Sequence, residues 1–415
     1  MTQRGFSAGF AGSALFVVVP GDLDTRTGGY GYDRRIIAGL RGRGWSVDVR
    51  RLDDSFPTPT PAAREHAAQV LAAIPHGSTV LVDGLALGAL PAEVEREAKR
   101  LKIVALVHHP LAAETGIDSA LAAALEVSER RALAASRSVV VTSRATAARL
   151  ADYGVGAERI TVVEPGTDPA PLARGSAVVR EPSAIRHQPF ESPEPFDVAL
   201  LCVATLTPRK GYELLLSALA AIPHGHWRLT CAGSLDRDAP TVARVRAQLR
   251  ADGLEDRVSL AGDMDAAALA THYDRADLFV LPTLYEGYGM AVAEALARGL
   301  PVVSTATGAI ADLVLGAVST GRVRLPASAP TVVDGATARP GRSAERGGRQ
   351  PDQPAGLVVP PGDLKAFTDA LSRVLGDAHL RAQLAAGARR VRDRLPTWDA
   401  AAAAMAQALE REARS

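Results

Sequence analysis

Short apolar runs recur along the chain and are separated by stretches with the periodicity of helices. They fall into two series, at residues 14–19, 46–50, 79–82, 103–107, 138–141 and 160–163, and at residues 198–204, 228–232, 258–261, 278–281, 301–304 and 357–359. This alternation predicts parallel sheets that are covered by helices on both faces. The sequence therefore predicts an α/β fold with two doubly wound, Rossmann-like domains.

A polar passage that contains several prolines, at residues 169–196, separates the two series. We expect an N-terminal Rossmann-like domain at 1–180 and a C-terminal one at 181–396, because a chain of 415 residues is long enough for two hydrophobic cores. Between 317 and 355 the chain is rich in Gly, Pro, Arg and Ser, which predicts a flexible insertion. Its arginines could bind phosphates, although a solvated loop is the simpler interpretation.

The stretch EGYGMAVAE, from Glu286 to Glu294, has the pattern of a ligand-binding turn. It follows a predicted strand, its glycines Gly287 and Gly289 permit a tight backbone path, and a helical pattern begins at Met290. The first amides of such a helix have no intrahelical acceptor and can hold a diphosphate. Glu294 returns to the face of the first turn, where its carboxylate can accept from two ribose hydroxyls. Taken singly, a loop cap and a solvated helix residue are simpler explanations of the two glutamates.

Two candidates lie in the first half of the chain. Gly28 and Gly29 follow the first predicted strand and allow close approach of a ligand, although a simple turn explains them about as well. His108 and His109 follow the run 103–107 at its carboxyl end, where open α/β sheets bind their ligands. Two neighbouring histidines without a third ligand at suitable spacing make a poor metal site.

The charge of the chain is nearly balanced, with a formal net value of +1, which argues against a general nucleic-acid binder. Lysine occurs only at positions 99, 102, 210 and 365, so arginine provides nearly all of the 47 basic residues. Lys210, in the segment PRKG, stands out against this background because a compact ammonium on a flexible stem suits a phosphate pocket.

No N-terminal segment has the pattern of a secretory signal, and the apolar run at 14–20 is too short to span a membrane, so we expect a cytoplasmic protein. The basic helical pattern at 32–44 leaves peripheral membrane contact open, although a solvated helix face explains it more simply. Cys202 and Cys231 fall in apolar runs, which predicts two buried thiols rather than a disulfide or a metal site.

The segment EGYGMAVAE, together with VATLTPRKGYELLLSAL before it and LVVPPGDLKAFTDAL after it, resembles the retaining glycosyltransferases of family 4, whose motif is two glutamates separated by seven residues. In the N-terminal half, ALVHHPL and RITVVEPGTD resemble segments of that family in the same order. The resemblance covers most of the chain. It implies the GT-B fold, in which two Rossmann-like domains face each other across a cleft and a C-terminal helix, here about 397–415, packs back onto the first.

The resemblance also implies roles for individual residues. The N-terminal domain would bind an acceptor and the C-terminal domain a nucleoside diphosphate sugar, with His108 contacting the transferred sugar, Lys210 the diphosphate and Glu286 the sugar, as the catalytic residues. The implied donor-binding residues are Gly28, Gly29, Arg209, Lys210, Gly233, Met264, Gly287, Tyr288, Gly289, Met290 and Glu294. The family commonly has an arginine where this chain has Thr205, and Arg209 is the candidate substitute.

The family reaction is a transfer on one face of the sugar without a protein nucleophile. We expect neither a cofactor nor a metal ion, because no Asp-x-Asp motif stands in a suitable place. Two alternatives stay open: an isomerase of the nucleotide-sugar 2-epimerase type, and a non-catalytic sugar-nucleotide-binding protein. The isomerases do not usually combine EGYGMAVAE with PRKG, and binding without turnover would favour the second alternative. The sugar, base, acceptor and oligomeric state are not specified by the sequence.

Overall fold

The computed structural model describes residues 14–176, 198–222, 227–316 and 354–414. The chain divides into two compact units, Met1–Gly166 with Pro396–Ser415, and Thr167–Leu395. The division falls at Gly166 rather than at the expected 180, because the segment after it packs on the second unit: the amide of Ala173 donates to the carbonyl of Arg298 at 2.9 Å.

The first unit contains strands and helices in alternation. Its strands are β1 (Ala14–Pro20), β2 (Ser46–Leu52), β3 (Thr79–Asp83), β4 (Lys102–Val107), β5 (Ser138–Val141) and β6 (Ile160–Val162). Its helices are α1 (Gly28–Gly42), α2 (Pro61–Ala72), α3 (Gly84–Leu87), α4 (Pro91–Glu97), α5 (Ser119–Ala135) and α6 (Arg144–Ala151), and α14 (Trp398–Arg414) returns to it from the end of the chain.

The second unit repeats the alternation. Its strands are β7 (Val198–Val203), β8 (Trp227–Ala232), β9 (Val258–Gly262), β10 (Leu278–Leu281), β11 (Val302–Thr305) and β12 (Gly356–Val359). Its helices are α7 (Tyr212–Ala220), α8 (Ala239–Ala251), α9 (Ala266–Arg275), α10 (Met290–Ala297), α11 (Ile310–Leu315), α12 (Leu364–Gly376) and α13 (Ala378–Arg392).

Each unit is built on one parallel six-stranded sheet. The strand orders are β2-β1-β3-β4-β5-β6 and β12-β11-β10-β7-β8-β9, and every neighbouring pair is parallel. All residues of β3 and β10 are buried, as expected for strands with helices on both faces. The predicted α/β class is therefore confirmed.

The strand order changes direction once in each sheet. From β1 the chain adds β2 on one side and then β3 on the other, and from β7 it adds β8 and β9 on one side and then β10 on the other. Ligands of open α/β sheets bind at such a switch point, beyond the carboxyl ends of the strands. The loops to consider are therefore those after β1 and β3 in the first unit, and those after β7 and β10 in the second.

Helix α14 is part of the first unit although the second unit precedes it in the chain. It packs on α1, where Gly39 leaves room for Ala402: a Cβ at Gly39 would overlap the Cβ of Ala402. The ammonium of Lys102 donates to the carbonyl of Ala413 at 2.7 Å.

The predicted insertion at 317–355 lies, for residues 317–353, outside the described residues. Its flanks are described: the amide of Ala355 donates to the carbonyl of Val314 at 2.9 Å, which joins α11 to the start of β12. Cys202 and Cys231 lie opposite each other on β7 and β8 as buried free thiols. Among the described helices, none has both the length and the apolar character needed to cross a membrane.

Candidate functional site

The loops beyond the carboxyl edge of the second sheet carry the residues that the sequence singled out in this half of the chain. Lys210 ends a short 3-10 turn after β7, Gly233 follows β8, Met264 follows β9 and Glu286 follows β10. The loops after β7 and β10, which bear Lys210 and Glu286, leave the two strands at the switch point.

Lys210, Arg209 and Glu286 form one charged cluster. The ammonium of Lys210 is in direct contact with Oε1 of Glu286, and a guanidinium nitrogen of Arg209 lies 3.7 Å from the same oxygen. The Lys210 and Glu286 side chains are only 15% and 11% exposed. Two cations therefore converge on one carboxylate, and an anionic ligand that reached Lys210 would share its ammonium with Glu286.

The backbone around this cluster is tightly fixed. The hydroxyl of Thr283 donates to the carbonyl of Arg209 at 3.1 Å, and the Arg209 guanidinium donates to the carbonyl of Tyr285 at 2.9 Å. Gly308 has φ +55°, and a Cβ there would overlap the carbonyl oxygen of Glu286. Gly211, at φ +70°, approaches the carbonyl of Pro282 in the same way. Only glycine permits these approaches, so the loops after β7, β10 and β11 pack together.

The EGYG turn leads into α10 as the sequence predicted. Gly289 has φ +96° and is the N-cap of α10, which begins at Met290, and no side chain caps this helix end. Tyr288, 5% exposed, is buried beside it, and Gly287 is partly buried. The uncapped first turn offers backbone donors at the positive end of a helix dipole, which favours an anion.

Glu294 lies one turn into α10 in an environment that the sequence did not predict. Its carboxylate accepts a hydrogen bond from the hydroxyl of buried Tyr273 at 3.1 Å, and Arg298 donates to its backbone carbonyl at 2.9 Å. Burial raises the pKa of Glu294, against the Tyr273 hydrogen bond and the Arg298 charge, and the nearby charge of Asp168 raises it further. A carboxylate fixed in this way can accept from ligand hydroxyls without first being ordered.

A second cluster lies at the carboxyl edge of the first sheet, beside its switch point, and is centred on His108, which directly follows β4. Its Nε2 lies 3.2 Å from Oδ1 of Asp33 on α1 and 3.5 Å from Oδ2 of Asp83 at the end of β3. Both carboxylate side chains are 2% exposed. His109 is outside this cluster and lies 3.4 Å from Glu114.

The glycine loop of the first unit is beside this cluster. Gly28 and Gly29 are the first residues of α1, whose N-cap Thr27 accepts the amide of Tyr30 at 3.3 Å. A Cβ at Gly29 would lie 3.6 Å from Cδ2 of His108, so this glycine leaves the edge of the imidazole uncovered.

Asp33, Asp83 and His108 are, within the described ranges, the residues whose possible metal-ligand atoms lie within 4.8 Å of one another. One ring nitrogen faces both carboxylates, so a proton on Nε2 accounts for the arrangement and we do not identify the three as metal ligands. Although burial lowers the pKa of His108, the charge and hydrogen bond of Asp33 and those of Asp83 raise it to about 10. Burial raises the pKa of Asp33, and His108 opposes that effect.

Sequence reasoning missed Asp33, Asp83 and Tyr273. Asp83 carried a usable signal, because it directly follows the apolar run 79–82 at the carboxyl end of a strand. Asp33 and Tyr273 carried none, since each acquires its partner from another element of the fold.

Comparison with known proteins identifies a family. A family model described as "Glycosyltransferase Family 4" matches residues 16–171, and one described as "Glycosyl transferases group 1" matches residues 197–328. The D-inositol 3-phosphate glycosyltransferase of Xylanimonas cellulosilytica is 30% identical over 67% of this chain and 58% of its own length. The MMP alpha-(1->4)-mannosyltransferase of Mycolicibacterium hassiacum is 25% identical over 65% of this chain and 64% of its own length.

Solved structures share the fold. The sucrose-phosphate synthase of Thermosynechococcus elongatus superposes with a TM-score of 0.71 at 20% identity, covering 96% of this chain and 98% of that one. HepE of Anabaena, in complex with UDP, gives a TM-score of 0.63 at 16% identity over 96% of this chain and 100% of that one.

The two doubly wound units and these likenesses define the fold as GT-B. The two family models cover most of the chain between them, and the chain belongs to the glycosyltransferases of group 1 and family 4. The matched region spans 58% of the length of the Xylanimonas relative and 50% of that of the Salinispora tropica D-inositol 3-phosphate glycosyltransferase.

Proposed function

We propose that this protein transfers a sugar from a nucleoside diphosphate sugar to an acceptor hydroxyl with retention of anomeric configuration. The observation that carries the proposal is the cluster of Lys210, Arg209 and Glu286 at the switch point of the second sheet, where the uncapped α10 also begins. Cations and free amides next to a tightly packed loop suit a diphosphate leaving group. HepE of Anabaena, which shares the fold, is described in complexes with UDP and with UDP-glucose, and this supports a nucleotide-sugar donor.

In the proposed reaction, the bond between the anomeric carbon and the diphosphate oxygen breaks and a bond to the acceptor oxygen forms on the same face. The acceptor proton passes to a phosphate oxygen of the leaving group. Lys210 and the first amides of α10 stabilise the charge that develops on the diphosphate, and Arg209 contributes where the family's usual arginine is replaced by Thr205. No metal ion is required for this distribution of charge.

The remaining residues would orient the donor. Glu294, fixed by Tyr273, would accept from the ribose hydroxyls, and Glu286 would contact the sugar. Gly233, Met264, Gly287 and Tyr288 would line the donor site through their backbone and side chains. His108 would contact the transferred sugar, with Gly28 and Gly29 giving the ligand close access to the backbone.

The reaction class is tested by incubating the protein with a panel of nucleoside diphosphate sugars, chosen by the thermal stabilisation that each produces. Free nucleoside diphosphate and a glycosylated product should form together when a suitable acceptor is added. Interconversion of the donor without release of nucleotide would identify an isomerase instead. Binding without either reaction, over a broad acceptor panel, would identify a sugar-nucleotide-binding protein.

Replacement of Lys210 tests the role of the charged cluster. Lys210→Ala should lower kcat by about 10²- to 10³-fold, the range found when one group that stabilises transition-state charge is removed. The control is Lys365→Ala, because the Lys365 side chain is 86% exposed on α12 in the same unit. Turnover near that of the wild type in a Lys210→Ala protein with an unchanged unfolding temperature would refute the assignment.

A further inference from the structure

The imidazole of His108 is held between two carboxylates by a single nitrogen. Nε2 faces Asp33 at 3.2 Å and Asp83 at 3.5 Å, and the edge of Tyr32 packs against the ring with centroids 5.4 Å apart. The backbone carbonyl of His108 accepts from the hydroxyl of Thr142 at 3.3 Å. The ring is therefore fixed from α1 and from the end of β3, and the backbone of His108 is held from the loop after β5.

A lone pair on Nε2 would face two carboxylate oxygens, so this nitrogen carries a proton. With Nε2 protonated, the charge of the ring depends on Nδ1. The ring is neutral when Nδ1 carries no proton and positively charged when it carries one. The charges around the ring favour the cation, because Asp33 and Asp83 both face it, while the charge of Arg34 acts on Asp33. This balance, despite the cost of burial, raises the pKa of His108 to about 10.

Asp33 has a further property that a purely structural carboxylate rarely has. Its Oδ2 is buried and has no hydrogen-bond partner among the described residues. Buried polar atoms are usually satisfied, and an exception calls for an explanation. Oδ1 of the same carboxylate faces Nε2 of His108, and attraction between the two charges offsets the cost of the unpartnered oxygen.

We propose that Asp33 and Asp83 are positioning residues that keep both ring nitrogens of His108 protonated, so that His108 presents a permanent positive charge and an Nδ1–H donor to an oxygen of the sugar nucleotide. Nδ1 has no hydrogen-bond partner within the part of the chain that the structure describes, and the His108 side chain is 19% exposed. In this state His108 cannot take up the proton of the acceptor hydroxyl. It therefore supplies a positive charge and a hydrogen bond, and does not act as a general base.

The assignment of the oxygen to a sugar nucleotide rests on the proposed function, whereas the protonation state of the ring does not. The state can be measured directly on the full-length protein with ¹⁵N-labelled histidine, by NMR, from about pH 6 to about pH 9. His108→Gln identifies the His108 signals, and His109→Gln removes those of its neighbour. The wild type should show both His108 nitrogens protonated over the whole range.

The positioning role is tested with Asp33→Asn, Asp83→Asn and the double variant, and Asp48→Asn, on the exposed face of β2, is the matched control. In the double variant the His108 ring should become neutral within the measured range, and kcat/KM should fall with rising pH where that of the wild type and of Asp48→Asn does not. If the double variant does not fold, the wild-type spectrum still decides the protonation state.

Three results separate the explanations. A neutral His108 in the wild type at about pH 7 would overturn the proposal. So would a stoichiometric metal ion in the purified protein that is lost in His108→Gln, because a metal would take the Nε2 lone pair. A doubly protonated His108 in a protein that transfers no sugar from any donor would contradict the proposed function and leave the assignment of the charge intact.

Discussion

Glu286 and Glu294 lie close together in the sequence but have opposite surroundings. Glu286 contacts the ammonium of Lys210, with Arg209 nearby, whereas Glu294 accepts from an uncharged phenol, that of Tyr273. The first carboxylate is therefore balanced by cations, and the second is held in place for further hydrogen bonds. This difference gives the two residues separable effects on binding.

Binding of a bare nucleoside diphosphate should distinguish the two glutamates. Glu294→Ala should weaken both the bare nucleotide and the sugar nucleotide by about ten- to a hundredfold, as expected for loss of hydrogen bonds to a charged acceptor. Glu286→Ala should leave the bare nucleotide bound as well as before or more tightly, because Lys210 no longer shares its charge, while turnover is lost. Titration calorimetry with both ligands measures this, and equal losses in the two variants would refute the division of roles.

At the level of single residues, the sequence predicted the local structure that lies within one motif. The turn at Gly289 and the start of α10 at Met290 could be predicted because a strand, a glycine turn and a helix are contiguous there. The partners of these residues could not, because Tyr273 comes from α9 and Asp33 from α1. Side chains that meet only after folding leave no local pattern in the sequence.

Among the elements, α5 fixes the loop that follows His108. The carboxylate of Glu129 on α5 accepts the amide of Leu111 at 2.9 Å, and its other oxygen, Oε1, is buried with no partner among the described residues. Burial raises the pKa of Glu129 to about 8, against the effect of the Leu111 hydrogen bond and together with that of the Glu126 charge. The anchor of this loop is thus a carboxyl group that is protonated below about pH 8.

This anchor makes stability depend on pH. Because the pKa of Glu129 is higher in the folded chain than its ordinary value of 4.5, folding takes up a proton between these values and stability falls as pH rises from 4.5 to about 8. Glu129→Gln should remove this slope and stabilise the protein by a few kcal/mol at about pH 9, since each pKa unit corresponds to about 1.4 kcal/mol.

Denaturant unfolding of the wild type and Glu129→Gln, at several pH values, measures the effect. Glu95→Gln is the control because its side chain is 43% exposed on the neighbouring α4. His108 also contributes to the free energy of unfolding, and this contribution is lost as pH rises from 6.5 towards about 10. It is the same in all three proteins, so it cancels when their free energies of unfolding are subtracted. Parallel curves for the wild type and Glu129→Gln would show that Glu129 is ionised in the folded state.

For the whole molecule, the sequence predicted both sheets because parallel strands that are buried on two faces are continuous apolar runs. It placed the domain boundary too late, since the proline-bearing passage looked like a linker. Residues such as Arg174, whose guanidinium donates to Asp274 at 3.0 Å, belong instead to the second unit. A polar segment that packs along a domain surface has the same composition as a linker, and composition alone does not separate them.

The segment at 317–353 can be tested by removal. Its flanks are already joined through Ala355 and Val314, so a short glycine-serine link between Gly316 and Pro354 should preserve the fold of the second unit. Donor binding, measured by calorimetry, should stay within about threefold of the wild type because a short flexible link adds little closure entropy. Loss of acceptor use with donor binding retained would make the segment part of acceptor recognition. A protein that no longer unfolds cooperatively would contradict the prediction of a passive insertion.

The place of α14 in the first unit has a consequence for biosynthesis. A nascent chain emerges from the ribosome with its N-terminus first, and domains generally begin to fold as they emerge. The face of α1 around Gly39 is covered by Ala402, and Met405 and Leu409 of the same helix are fully buried. During translation this face of α1 therefore stays exposed until the entire second unit has been synthesised. The nascent first unit can complete its packing only after α14 has been synthesised, and until then its apolar surface is available to chaperones.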